Sequence, residues 1–246
     1  MKENHFPHRI SKDLVHWMPL VAFEGETYVI NSLEQVPEAV DWLNQQTIVG
    51  VDTETRPSFR RGQHYPVALV QIATEERCYL FQLNQIGLPQ ELADFFANKN
   101  IKKIGLAFKD DLAGLQHRRP FMPGNCIDVQ KMVGEYGILD LGLQKIFAII
   151  FGKKISKSQQ LTNWENLVLT PEQARYASTD AWATLLIYNE LIQTKKLPKA
   201  EAEQLRQNDL KKQHEHQMAV LAARQAAAEA AKEDPKKGEP NTNWHN

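Results

Sequence analysis

The chain has 246 residues, 42% of them hydrophobic and 24% charged, enough for one full core with chain to spare. Its only cysteines, Cys78 and Cys126, lie far apart without metal-ligand spacing, which argues against a disulfide scaffold or a zinc site and fits a reducing interior. The net charge of −1 supplies no general cationic surplus for gripping phosphates, so a nucleic-acid partner has to be argued from local placement.

Residues 1–26 mix charged and apolar groups without clear periodicity and read as a loosely packed N-terminal arm. Met1 to Leu20 contains no apolar core of a signal peptide, and no run approaches the length of a membrane span. The expectation is a soluble, cytoplasmic protein with no membrane partner. From residue 27 to 197 short β-branched runs alternate with helical patterns, as in an α/β domain. Tyr28-Val29-Ile30 reads as a strand. A helix then opens either at Ser32, with Gln35 completing a capping box, or at Pro37.

Thr47 to Val51 is a nearly continuous apolar run, as expected of a strand buried on both faces. Val67–Ala73 and Arg77–Leu83 predict two more strands joined through Thr74-Glu75-Glu76. A helix over Pro89–Ala97, a strand around Lys103–Ala107 and a helix from about Asp110 follow. Leu139 to Phe151 predicts a helix stopped by Gly152, and Thr170-Pro171-Glu172-Gln173 carries every signal of a helix start. Residues 198–246 change character. Strong helix formers over Lys199–Glu233 predict a helix with few core anchors, and Asp234–Asn246 reads as disordered.

Three groups of acids carry the candidate chemistry. Asp52 and Glu54 end the apolar strand at positions i and i+2, so both carboxylates leave one face of a sheet. Two such neighbours repel unless a cation lies between them, although a turn or capping carboxylate gives the same bare pattern. On the last helix of the domain, Tyr176 and Asp180 share a face with the apolar Ala183 and Ile187. Asp180 therefore points inward and needs either a metal or backbone donors. Asp110 suits the first turn of its helix as a dipole partner. Asp111, with Leu115 one turn later, leans toward the sheet.

Other groups admit two readings. Arg56, Arg60, Arg61 and His64 follow the first acidic pair and fit either a phosphate-contacting or a solvated loop. Lys153, Lys154 and Lys157 form a second basic cluster. Trp164 is either a core residue or a platform for a base.

The ordered set is D-x-E ending a strand, D-x-x-x-L on a helix, and Y-x-x-x-D on the closing helix. It resembles the DEDD superfamily of 3′→5′ exonucleases, in the tyrosine-bearing (DEDDy) subgroup of ribonuclease D and the Werner-type domain. The resemblance extends to Val51-Asp52-Thr53-Glu54, the strand Val67–Ala73, Lys103-Ile104-Gly105, Thr162-Asn163-Trp164, Leu169-Thr170 and the run Tyr176–Ala181. It implies a ribonuclease H-like exonuclease fold, a mixed sheet flanked by helices. It implies two divalent cations, Mg²⁺ or Mn²⁺, on Asp52, Glu54, Asp111 and Asp180, with Asp52 bridging them and Tyr176 orienting the attacking water. The expected reaction is removal of nucleoside 5′-monophosphates from the 3′ ends of DNA or RNA. Two departures stand out: Ala107 occupies a position where the usual second motif has Asn, and residues 199–246 do not resemble the helical accessory domain of ribonuclease D. The competing reading is a catalytically inactive nucleic-acid-binding module, against which the four acids and Tyr176 argue.

Overall fold

A computed structural model of the chain describes residues 1–60 and 62–233. Arg61 and the tail Asp234–Asn246, expected to be disordered, lie outside the described residues. The chain divides into two compact units, Met1–Lys199 and Ala200–Asn246. In the second, α9 (Lys199–Glu233) is helical as its composition dictates, and Leu210, Met218 and Leu221 are exposed on it.

The first unit is built on a mixed six-stranded sheet. Its strands are β1 (Glu26–Ile30), β2 (Ile48–Thr55), β3 (Val67–Ala73), β4 (Arg77–Gln82), β5 (Lys102–Gly105) and β6 (Cys126–Asp128), in the order β1-β4-β3-β2-β5-β6. β3 runs antiparallel to both of its neighbours, while β1 with β4, β2 with β5, and β5 with β6 pair in parallel. The helices are α1 (Lys12–Trp17), α2 (Val36–Asn44), α3 (Leu83–Ile86), α4 (Gln90–Ala97), α5 (Lys109–Arg118), α6 (Val129–Met132), α7 (Leu143–Phe151) and α8 (Pro171–Gln193). Side-chain alternation along the central strands separates two cores. Val49 and Val51 of β2 join Val40 and Leu43 of α2, Phe95 and Phe96 of α4 and Leu115 of α5 on one face. Leu69, Ala73 and Leu80 meet Tyr176, Ala177 and Ala181 of α8 on the other.

That second face depends on Gly50. A Cβ there would lie 2.0 Å from the backbone oxygen of Ala181, so only glycine lets α8 rest this close to β2. The closing helix begins as its sequence predicts: the Thr170 hydroxyl accepts from the Gln173 N–H, and the Gln173 side chain accepts from the Thr170 N–H. Of the two starts considered, Ser32 is the one found: its capping box opens a 3₁₀ turn over Leu33–Gln35, and α2 continues it from Val36 with Pro37 in its first turn.

Three expectations are corrected. The arm is not loosely packed: Ile10, Val15 and Phe23 are buried, α1 forms within it, and Lys2 pairs with Thr194 and Leu20 with Lys154 through backbone bridges. The helix expected from Leu139 starts at Leu143. The arm causes this, since the Leu139 N–H bonds the His8 carbonyl, and the buried Asp140 carboxylate accepts from the Ile10 N–H and from Lys145. The edge strand β6 and the short α6 behind it were not anticipated. Three residues with no alternation in burial leave no periodic signal.

Candidate active site

Asp52 and Glu54 sit at the carboxyl end of β2, on the face that α8 covers. Glu54 pairs with Leu69 and Thr55 with Val67, so Ala68 is left over as a bulge beside Glu54. A bulge at this point re-aims the end of the strand, a common device next to reactive groups. Asp180 approaches from α8 and is 6% exposed. Carboxylate oxygens of Asp52, Glu54 and Asp180 all lie within 4.8 Å of one another, the separation a shared cation requires. Tyr176, one helical turn before Asp180, is buried with its ring 5.9 Å from that of Trp164.

Asp111 enters differently. It stands in the first turn of α5, on the opposite side of β2 from α8, and the Thr53 hydroxyl donates to its carboxylate. Thr53 alternates with Asp52 and Glu54 and so points to the α5 side. It is the connection that strand periodicity implies but that no acidic motif announces. Ala107, just before α5, has φ of +54°, and its N–H donates to Asp128 at the end of β6.

The electrostatics follow from crowding of like charge. Burial, then the charges of Asp180 and Asp111, hold the Asp52 carboxyl well above the usual range. Glu54 is pushed up to about 10 by burial and by Asp52. Asp180 rises to about 7 through burial, opposed by its hydrogen bond with Tyr176 and by the charge of Lys157. Asp111 rises to about 6 through burial, opposed by the Thr53 hydroxyl. Burial and the neighbouring Asp180 also raise the Tyr176 phenol above its ordinary value. Four carboxylates that resist ionising together form a site whose anionic state needs compensating positive charge. A divalent cation with oxygen ligands fits this donor set.

A cavity of about 380 Å³ opens on the acids and is also lined by Gln144, Ser156, Lys157 and Thr184. The basic loop borders other cavities. Arg56 and Arg60 line one with Phe59 and Tyr65, and His64 lines another with Glu54 and Asp111. Arg56 is held by an ion pair with Glu165 and lies over the Tyr65 ring. Trp164 is 0% exposed, which makes it a core residue and removes it as a base platform. Gln82, Asn84 and Gln85 fix the segment around it by donating to the carbonyls of Asn166, Glu165 and Leu167.

The sheet order, the bulged D-x-E strand and the acid-bearing closing helix define the class of a nuclease domain. A family model described as 3′–5′ exonuclease matches residues 28–197, and the chain belongs to that family. Among curated relatives, the bifunctional 3′–5′ exonuclease/ATP-dependent helicase WRN of Mus musculus is 28% identical over 184 residues, covering 71% of this chain and 13% of the relative. A 3′–5′ exonuclease of Arabidopsis thaliana is 31% identical over 158 residues, 62% of this chain and 54% of the relative. The chain thus spans about half or less of the length of these two relatives. The Nibbler EXO domain of Aedes aegypti has a similar fold, with a TM-score of 0.64 at 22% identity over 75% of this chain and 99% of that domain. Escherichia coli RNase D gives a TM-score of 0.62 at 22% identity, covering 68% of this chain and 44% of that one. Among the described residues, no helix is long and apolar enough to cross a membrane.

Proposed function

We propose that the chain is a DEDDy-type, metal-dependent 3′→5′ exonuclease that shortens DNA or RNA from the 3′ end and releases nucleoside 5′-monophosphates. The observation that carries this reading is the convergence of Asp52, Glu54 and Asp180 within 4.8 Å, beside Tyr176 and close to Asp111, in a member of the 3′–5′ exonuclease family. Support for a nucleic-acid substrate comes from a similar fold: RNase D of Trypanosoma brucei has been solved with RNA U12.

Two divalent cations, Mg²⁺ or Mn²⁺, would be held by Asp52, Glu54, Asp180 and Asp111. When bound they stabilise charge on the phosphate and on the leaving 3′-oxygen, and they make water a competent nucleophile near neutral pH. The protein's own part is positioning. The raised Tyr176 phenol stays protonated: its hydroxyl donates to Asp180 one turn on, and its oxygen accepts a hydrogen bond from the attacking water and so orients it. Water oxygen bonds to phosphorus, giving up one proton to solvent, as the bond to the 3′-oxygen breaks. That oxygen leaves with a proton from solvent, so the released nucleotide keeps its 5′-phosphate. Arg56, Arg60 and His64 contact the phosphates that lead to the cleft. For Arg56, a phosphate would compete with Glu165 for the guanidinium.

The test is degradation of 5′-labelled DNA and RNA oligonucleotides in Mg²⁺, Mn²⁺ or EDTA, with Asp52→Ala as control. A ladder shortening from the 3′ end, present only with metal and absent in the variant, is the expected result. Binding without any ladder would overturn it in favour of an inactive binding module.

A further inference from the structure

A second cavity, about 570 Å³, adjoins the catalytic one and shares Gly142, Gln144, Ile155, Ser156 and Lys157 with it. Its far wall is the N-terminal arm, which precedes the residues matched by the family model. The arm is fixed there by backbone bonds: the Val21 N–H donates to the Lys154 carbonyl, the Lys154 N–H to the Pro19 carbonyl, and the Lys154 ammonium to the His16 carbonyl. The lining is cationic, with Lys12 and His16 from α1, Lys145 from α7, and Lys154 and Lys157 from the following loop. Lys145 is engaged by Asp140 and Lys154 by the arm, whereas Lys12 carries no ion pair among the described residues. Lys157 lines both cavities and so stands at their junction, with Asp180 lining the first. Beside His16, its ring edge-on at 5.2 Å, Trp17 is 82% exposed.

A net charge of −1 with a local run of cations is a placed charge, and it leads directly away from a cluster of acids. We propose that this groove binds the phosphate backbone of a single nucleic-acid strand several nucleotides upstream of the 3′ end. Lys157 and Lys12 contact successive phosphates, and Trp17 stacks on a base. The proposal rests on the exonuclease reading for its occupant. It explains why the arm is tied to the fold by backbone bonds: a wall that holds a strand must not move with it.

Binding of a fluorescein-labelled single-stranded 12-mer, measured by anisotropy in EDTA, reads the groove without hydrolysis. Lys12→Glu should weaken it about fivefold and reduce the salt slope by roughly one phosphate contact, while Lys102→Glu, the same charge change outside the groove, should not. Trp17→Ala should also weaken it, and circular dichroism checks that each variant is folded. In Mg²⁺ the Lys12→Glu variant should cut the 12-mer more slowly at limiting substrate and leave cleavage of a dinucleotide unchanged. Equal losses for Lys12→Glu and Lys102→Glu, or none for Lys12→Glu and Trp17→Ala, would overturn the groove even if the wild type is an active exonuclease. A wild type inert toward both lengths but with Lys12-dependent binding would retain the groove and refute the activity.

Discussion

The hydroxyl of Thr53 donates to the carboxylate of Asp111, so the residue between the two strand acids holds the acid from the other side of the sheet. One strand thereby places three carboxylates: two directly through alternation, the third through the intervening side chain. Thr53→Val keeps the shape and removes the donor. The Asp111 carboxyl should then rise further from the usual range, because the hydrogen bond now opposes its burial. Activity should fall about tenfold at limiting metal and recover at high metal, while stability changes by no more than about 1 kcal/mol. Thr53→Ser should retain most activity. A Thr53→Val enzyme with an unchanged metal dependence would show that Asp111 needs no such support.

Much of this arrangement is legible in the sequence because it is local. Alternation puts Asp52 and Glu54 on one face, and helical spacing puts Asp180 with Tyr176 among apolar neighbours. The capping signals at Thr170 locate the start of α8 to the residue. What escapes is set by partners distant in the chain. The arm looks aperiodic because it is held by backbone bonds to residues beyond 130 and by the buried Asp140, rather than by an amphipathic face of its own. The same contacts delay α7 by four residues. Trp164 is ambiguous in the sequence because only the tertiary fold shows that it lies under Tyr176.

Gly50 sets how near Asp180 comes to Asp52. Gly50→Ala would place a methyl 2.0 Å from the Ala181 carbonyl and 2.9 Å from the Leu185 Cβ, with backbone as the obstacle. The helix has to move, at a cost of about 2–4 kcal/mol. The denaturation midpoint should drop accordingly. Metal affinity should fall with it, because the displacement separates carboxylates that now lie within 4.8 Å. A variant with normal stability and normal metal binding would contradict the close approach.

Ala107 occupies left-handed space, with φ of +54°, where a side chain other than Gly or Asn is strained. Ala107→Gly should relieve that strain and stabilise the fold by roughly 0.5–1 kcal/mol after the entropy cost of glycine. Ala107→Asn, which restores the residue usual in the second motif, should stabilise as well. A lower melting temperature for both variants would show that the strain is not there.

The crowded acids make the metal-free protein sensitive to pH in a direction opposite to that of most carboxylates. In the unfolded chain these groups ionise near pH 4. In the folded chain Asp111 waits until about 6, Asp180 until about 7 and Glu54 until about 10. Between those values the folded state binds more protons than the unfolded state, so stability falls as pH rises. Below about pH 4 both states are protonated and the effect is absent. Without metal, melting temperature should therefore decline from pH 5 to pH 8. Asp52→Asn removes one charge from the cluster and should flatten that decline. Excess Mg²⁺ should raise the melting temperature more at pH 8 than at pH 5, because the cation binds the ionised acids and stabilises only the state that has assembled them. Parallel profiles for wild type and Asp52→Asn, or a Mg²⁺ shift independent of pH, would mean that the acids do not share their charge and do not hold the ion.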